Sequence, residues 1–132
     1  MKPVKLFFLL PALLGMSAQT LAAGNEPELL EIYRNQAEQP LSAERGKALW
    51  EKRNGSKSCT ACHGADITEP GEIELIWFFT KSIKPMALSA NPDRYQDAET
   101  ADMAFDKNCK RVFQRVCTPQ EKGDILQYLV DS

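Results

Sequence analysis

Cys59-Thr60-Ala61-Cys62-His63 is the stretch from which the rest of the chain is read. Two thiols three positions apart can add across the two vinyl groups of a haem, and the next residue then sets an imidazole under the iron. A thioredoxin-like redox pair uses the same two cysteines, but it follows a strand in a βαβ pattern, and the pattern is missing here. Half of a zinc site is the other reading. Zinc needs two more ligands, His63 is the sole histidine, and Cys109 and Cys117 stand at a spacing that suits no common finger. The pentapeptide is therefore expected to hold one covalent haem c, with Cys59 and Cys62 as thioether residues and His63 as proximal iron ligand.

Helices are expected on both sides of the motif. Upstream, Glu28 to Gln39 carries Leu29, Ile32, Tyr33 and Ala37 near one face, and Pro40 stops it. Ser42 is a good N-cap for a second helix from Ala43 to about Arg53, and Asn54-Gly55-Ser56 is a turn. Downstream, a helix is expected from Ala98 to about Arg111. The last helix is the best marked, by Thr118-Pro119-Gln120-Glu121: an N-cap, a proline at the first helical position and a capping-box glutamate. Its buried face should hold Ile125, Leu126, Leu129 and Val130. Between Pro70-Gly71 and Lys84-Pro85 lies Glu72–Thr80, an apolar run that reads equally as a short helix or a strand. Trp50, Trp77, Phe78, Phe79 and Phe105 are expected around the haem, and Met103 in the core.

Gly46 and Trp50 are four apart on one helical face, and the last helix offers Tyr128 and Leu129. The pattern is similar to class I cytochromes c, in which a glycine lets the N-terminal helix cross the C-terminal helix closely. The expected fold is all-α: a class I cytochrome c-like small helical domain built around one haem.

The chain has 132 residues, room for one such domain. Residues 1–23 stand apart. Lys2 and Lys5 precede the apolar stretch Leu6 to Leu14, and Thr20-Leu21-Ala22-Ala23 offers small residues to a signal peptidase. Nine apolar residues are about half of a bilayer span. The reading is a cleaved secretory signal, a mature domain at 24–132 that does not span a membrane, and a periplasmic location. Cleavage removes two of the 16 basic residues and none of the 18 acidic ones, taking the formal charge from −2 to −4. That balance argues against nucleic acid, which needs a basic footprint. Cys109 and Cys117 remain as a separate pair in an oxidising compartment, open to a disulfide.

With one histidine, the sixth iron ligand must be Met, Asn, Lys, Tyr, a small molecule or nothing. On pattern alone the simple candidate is Met86, in a loop after Pro85. A thioether there makes a plain electron-transfer cytochrome.

The C-terminal third resembles a particular family. Asn108-Cys109, seven residues, Cys117, then Thr118-Pro119-Gln120-Glu121-Lys122 matches the signature of the sphaeroides haem protein family, oxygen-binding monohaem cytochromes c. Ala43-Glu44-Arg45-Gly46, Cys62-His63-Gly64-Ala65-Asp66 and Ser89–Tyr95 also resemble it, so the likeness runs through the mature chain. The resemblance implies that the Asn108 side chain is the distal iron ligand, that Cys109 and Cys117 are paired beside it, and that the asparagine leaves on reduction. Oxygen, nitric oxide or another small ligand then binds and is open to reduction. It also implies a dihaem cytochrome c and a membrane cytochrome b as electron donors. Glu72–Thr80 is longer and more apolar than the family pattern and is suited to shielding a haem edge or facing a partner. Lys81, Lys84, Lys107, Lys110, Arg111 and Arg115 read as a solvated face or as a basic docking surface for an acidic partner. No second histidine is present for peroxide chemistry, so a dedicated enzyme is not the favoured reading.

Overall fold

The computed structural model describes residues 26–132. The export segment proposed for residues 1–23 lies outside them. Helices α1 (Glu28–Gln36) and α2 (Ala43–Glu51) lead to a single turn, α3 (Thr60–His63). A hairpin of β1 (Gly71–Ile76) and β2 (Phe79–Ile83) follows, then α4 (Ala98–Phe113) and α5 (Pro119–Asp131). The framework is helical, and the hairpin is its one sheet among the described residues.

α5 begins where its sequence says it should. Thr118 Oγ1 accepts from the Glu121 N–H at 3.2 Å, and the Glu121 carboxylate accepts from the Thr118 N–H at 3.0 Å. Such a cap contributes about 1 kcal/mol. Arg115 grips the same carboxylate through both terminal nitrogens, at 2.7 and 2.6 Å. Arg115 is thus paired at the helix start.

α2 crosses α5 with backbones touching. A Cβ on Gly46 would lie 1.8 Å from the Asp124 carbonyl oxygen. Only glycine permits that approach. One turn on, Trp50 meets Tyr128 with ring centroids 6.5 Å apart. Asp124 is buried, and its carboxylate accepts from the Ser42 N–H at 2.7 Å and from Arg45 at 2.8 and 2.9 Å. Ser42 also caps α2, its hydroxyl accepting from the Arg45 N–H at 3.2 Å. The buried acid is therefore fully engaged, as a carboxylate in a core must be.

Two clusters fill the interior. Trp50, Ile67, Ala87, Ile125 and Leu129 form one between α2, α5 and the loops. Leu29, Leu30, Tyr33 and Leu126 form the other, joining α1 to α5, with Ala98, Ala101 and Phe105 of α4 packed on it. Lys122 sits between Asp102 and Asp106, at 2.8 and 2.6 Å, and ties α5 to α4. Cys109 in α4 and Cys117 before α5 are joined by a disulfide with Cα atoms 5.7 Å apart.

Several expectations need correction. α1 ends at Gln36 rather than Gln39, and its buried residues are Leu29, Leu30 and Tyr33; Ala37 is the extended residue after it. α2 stops at Glu51, because Lys52 turns extended to reach the Asn54–Lys57 bridge, and Asn54 Nδ2 donates to the Val112 carbonyl at 2.9 Å. α4 runs two residues further, to a left-handed cap at Gln114. Val130 is only half-buried, while Gly123 and Asp124 are buried by the helix crossing. Met103 points outward from α4. Trp77, Phe78 and Phe79 are not core: they make the outer end of the hairpin, and Trp77 and Phe78 are 86% and 82% exposed.

Two measurements follow. Gly46→Ala drives a methyl into backbone rather than into a yielding side chain, and is expected to cost about 3 kcal/mol in denaturant unfolding of the holoprotein. Cys109→Ser with Cys117→Ser is expected to cost roughly 2–3 kcal/mol through the freed loop, and intact protein should show no titratable thiol from this pair.

Candidate haem site

α3 is one turn, and its job is placement. Cys59 is its N-cap, and the His63 N–H donates to the Cys59 carbonyl at 3.1 Å. Gly64 then leaves the helix with φ 76°. That turn brings Cys59 and His63 to the wall of a cavity of about 330 Å³, within the roughly 300–1,000 Å³ of cofactor clefts. Trp50 forms part of the same wall, its ring centroid 5.2 Å from that of His63. The opposite wall is α4. Its residues Ala101, Ala104, Phe105 and Asn108 recur every three or four positions and face the cavity together. The small side chains at Ala101 and Ala104 leave a flat, apolar face on that helix.

His63 is half-buried, and burial with the charges of Arg94 and Arg111 pushes its imidazole down to about 4. It is therefore neutral at ordinary pH, the form that binds a metal. Burial pushes the Cys59 thiol up to about 11, aided by the neighbouring Cys62. Such a thiol is no activated redox nucleophile. His63 Nδ1 and Trp50 Nε1 are buried and have no hydrogen-bond partner among the described residues. Each orphan of this kind costs about 1–3 kcal/mol. An apolar cavity bordered by a neutral imidazole, two buried ring nitrogens without partners and the Cys59 thiol, with Cys62 one turn on beside the adjoining smaller cavity, fits a haem.

The residues singled out in the sequence converge here to different degrees. Cys59, His63, Met86, Asn108 and Cys109 all border the cavity. Cys62 borders a second, smaller one of about 210 Å³, together with Cys59 and Asn108. Cys117 borders neither and is reached only through its disulfide. Asn108 lies within α4, and its Nδ2 donates to the Ala104 carbonyl at 2.9 Å, which leaves the amide oxygen as the free end. Met86 is held differently. Its N–H donates to the Ile67 carbonyl at 2.9 Å, its carbonyl accepts from Tyr95 Oη at 2.7 Å, and its side chain packs on the Trp50–Ile67 cluster. Arg94 clamps the preceding carbonyls of Lys84 and Pro85, at 2.9 Å each. Lys107, Lys110 and Arg111 are exposed and make no ion pair among the described residues.

Sequence reasoning gave no role to Tyr95, Arg94 or Gly71. Tyr95 adopts a left-handed φ of 68°, which nothing in its neighbours announces. Gly71 starts the hairpin hard against the attachment turn: a Cβ there would lie 2.3 Å from the Cys62 carbonyl oxygen and 2.7 Å from His63 Cα. The preceding Pro70 marked a turn but not this contact.

Comparison with known proteins agrees with this geometry. Residues 36–129 match a family model described as a domain of unknown function, DUF1924. The chain is 40% identical over 129 residues to the cytochrome c-type protein SHP of Cereibacter sphaeroides, covering 93% of this chain and 95% of that one. The chain belongs to the sphaeroides haem protein family. Its cofactor is one covalent haem c. A solved structure of oxidised SHP, an oxygen-binding cytochrome c, superimposes with a TM-score of 0.72 at 38% identity, over 79% of this chain and 94% of that one. Oxidised cytochrome c'' from Methylophilus methylotrophus gives 0.66 at 24% identity, over 80% and 93%, and speaks for the shared fold alone. The class I-like helical frame is thus the family's frame. Among the described residues, no helix is long and apolar enough to cross a membrane.

Gly71→Ala tests how tightly the haem-bearing turn is boxed in. The methyl meets the unyielding Cys62–His63 backbone, so the variant should lose about 2–3 kcal/mol of holoprotein stability in denaturant melts followed by the haem absorbance.

Proposed function

We propose that this cytochrome is an exported electron acceptor whose reduced form binds oxygen or a related diatomic ligand. Cys59 and Cys62 carry the thioether links, His63 is the proximal ligand and Asn108 the distal one in the oxidised state. When bound, the haem supplies an iron that takes one electron and, with a position free, a small ligand.

The observation that carries this reading is the seat of Asn108. Its side chain lies on the cavity face of α4, bordering both cavities next to the haem cysteines, with its amide oxygen unengaged. The residue after it is pinned by the Cys109–Cys117 disulfide. A neutral amide oxygen is a hard donor, better matched to ferric than to ferrous iron. Asn108 would therefore hold the oxidised metal better than the reduced one, and its amide would be the group that yields on reduction. Ala101 and Ala104 next to it leave room for a small ligand. A relative named as oxygen-binding supports the ligand-binding part of this reading.

Met86 supplies the second reading, a plain Met86-ligated electron shuttle, because it borders the same cavity. Its core packing and doubly bonded backbone favour a structural role. The reading also takes residues 1–23 as an export signal, the periplasm as the compartment, and a dihaem cytochrome c and a membrane cytochrome b as donors. Lys107, Lys110 and Arg111 near Asn108 offer such donors a basic face.

Spectra of oxidised and reduced protein decide between the ligands. Asn108→Ala should be high-spin in both oxidation states and open to carbon monoxide once reduced, whereas Met86→Ala should keep the wild-type spectrum. A sulfur-to-iron charge-transfer band in the near infrared that vanishes in Met86→Ala would sink the asparagine assignment.

A further inference from the structure

The hairpin ends in five consecutive apolar side chains, Leu75, Ile76, Trp77, Phe78 and Phe79, that are 58–86% exposed. A bulge lies between Glu74 and Ile76, Ile76 pairs with Phe79, and Trp77-Phe78 closes the turn. The next pairs inward are Glu74 with Thr80, Ile73 with Lys81 and Glu72 with Ser82. An apolar end thus gives way abruptly to a polar stem. Contiguous exposed apolar groups of this kind mark a contact surface.

We propose that this tip inserts into the interfacial layer of a phospholipid bilayer and holds the cytochrome there as a peripheral protein. Dimensions support it. Strands advance about 3.4 Å per residue, so the apolar end, made of the Ile76–Phe79 pair and the Trp77-Phe78 turn beyond it, is about 7 Å tall. Interfacial segments sink roughly 5–10 Å. Tryptophan and phenylalanine favour that layer, and Glu74, Thr80 and Lys81 then fall at headgroup depth. The turn's backbone amides stay within reach of water, which full insertion would deny them. A second copy is a poorer occupant. A stable interface needs about 20–30 residues a side, and a convex five-residue tip supplies too few.

Charge is not the driving force. Glu72 and Glu74 on one strand balance Lys81 and Lys84 on and just after the other, so the stem has no net charge. Apolar transfer carries the binding, and anionic lipid is not required. The root of the hairpin is wedged at Gly71 against Cys62 and His63. Six strand residues span about 20 Å, which sets the haem-bearing turn at that height above an inserted tip. This inference stands whichever residue is the distal ligand.

Vesicle flotation of the oxidised holoprotein tests it, with phosphatidylcholine alone and with added phosphatidylglycerol. The protein should float with both, with little change on adding salt. Trp50 lies against His63, beside the haem, so Trp77 should dominate the emission, shift to the blue and be quenched by acyl-brominated phosphatidylcholine. Trp77→Ser with Phe78→Ser should lower partitioning by roughly tenfold or more, since one ring's transfer suffices for that factor. Its visible spectrum and thermal midpoint should match wild type. Failure to float, flotation only with anionic lipid and reversed by salt, or flotation unchanged in the double variant would each overturn the proposal. So would a concentration-dependent dimer that the double variant abolishes.

Discussion

The backbone contact between Gly46 and Asp124 is the constraint from which the rest of the fold is laid out. It sets α2 against α5 at a distance no side chain would permit. Once α2 is so placed, Trp50 falls between Tyr128 and His63, and the chain leaves the helix at Lys52 in the direction of the haem motif. The crossing also buries Asp124, whose carboxylate then gathers the Ser42 N–H and Arg45 from the start of α2. One close approach therefore fixes the pitch of two helices, one wall of the cavity and a buried polar network. The other wall depends on α4, which reaches α5 through Lys122 and through the disulfide.

Much of this was legible in the sequence because the decisive signals are local. Thr118-Pro119-Gln120-Glu121 specifies a helix start within four residues, and α5 starts there. Gly46 four before Trp50 announced a close crossing, since both the lack of a side chain and the helical period can be read from residue type. The helix boundaries that moved, at Gln36, Glu51 and Phe113, did so where a loop had to meet a distant group, such as Asn54 with the Val112 carbonyl. Such meetings leave no mark at short range.

Residues 72–80 show the same limit more sharply. A run of Ile, Leu, Trp and Phe looks like core by composition. Its fate depends on whether any surface is near enough to cover it, and the hairpin carries it clear of the body. For the site, the cysteines and His63 were readable from spacing. Asn108 was singled out as a candidate ligand only by family likeness, because an asparagine within a helix has no local signature of metal ligation. Tyr95 and Gly71 were hidden because their roles rest on backbone geometry and on contacts across the fold.

The seat of Asn108 has a consequence for selectivity under the proposed ligation. A side chain fixed on a helix next to a disulfide is a tethered ligand, present at a local concentration that no free molecule can match. Any outside ligand competes with it as an intramolecular rival. The apparent affinity is then the intrinsic one reduced by the fraction of molecules in which the amide is away. Under that ligation the oxidation state would alter the fraction, so a single electron would gate occupancy. The seat of Asn108 on α4 would then act as a filter, closing the oxidised protein to adventitious ligands and leaving the reduced protein receptive.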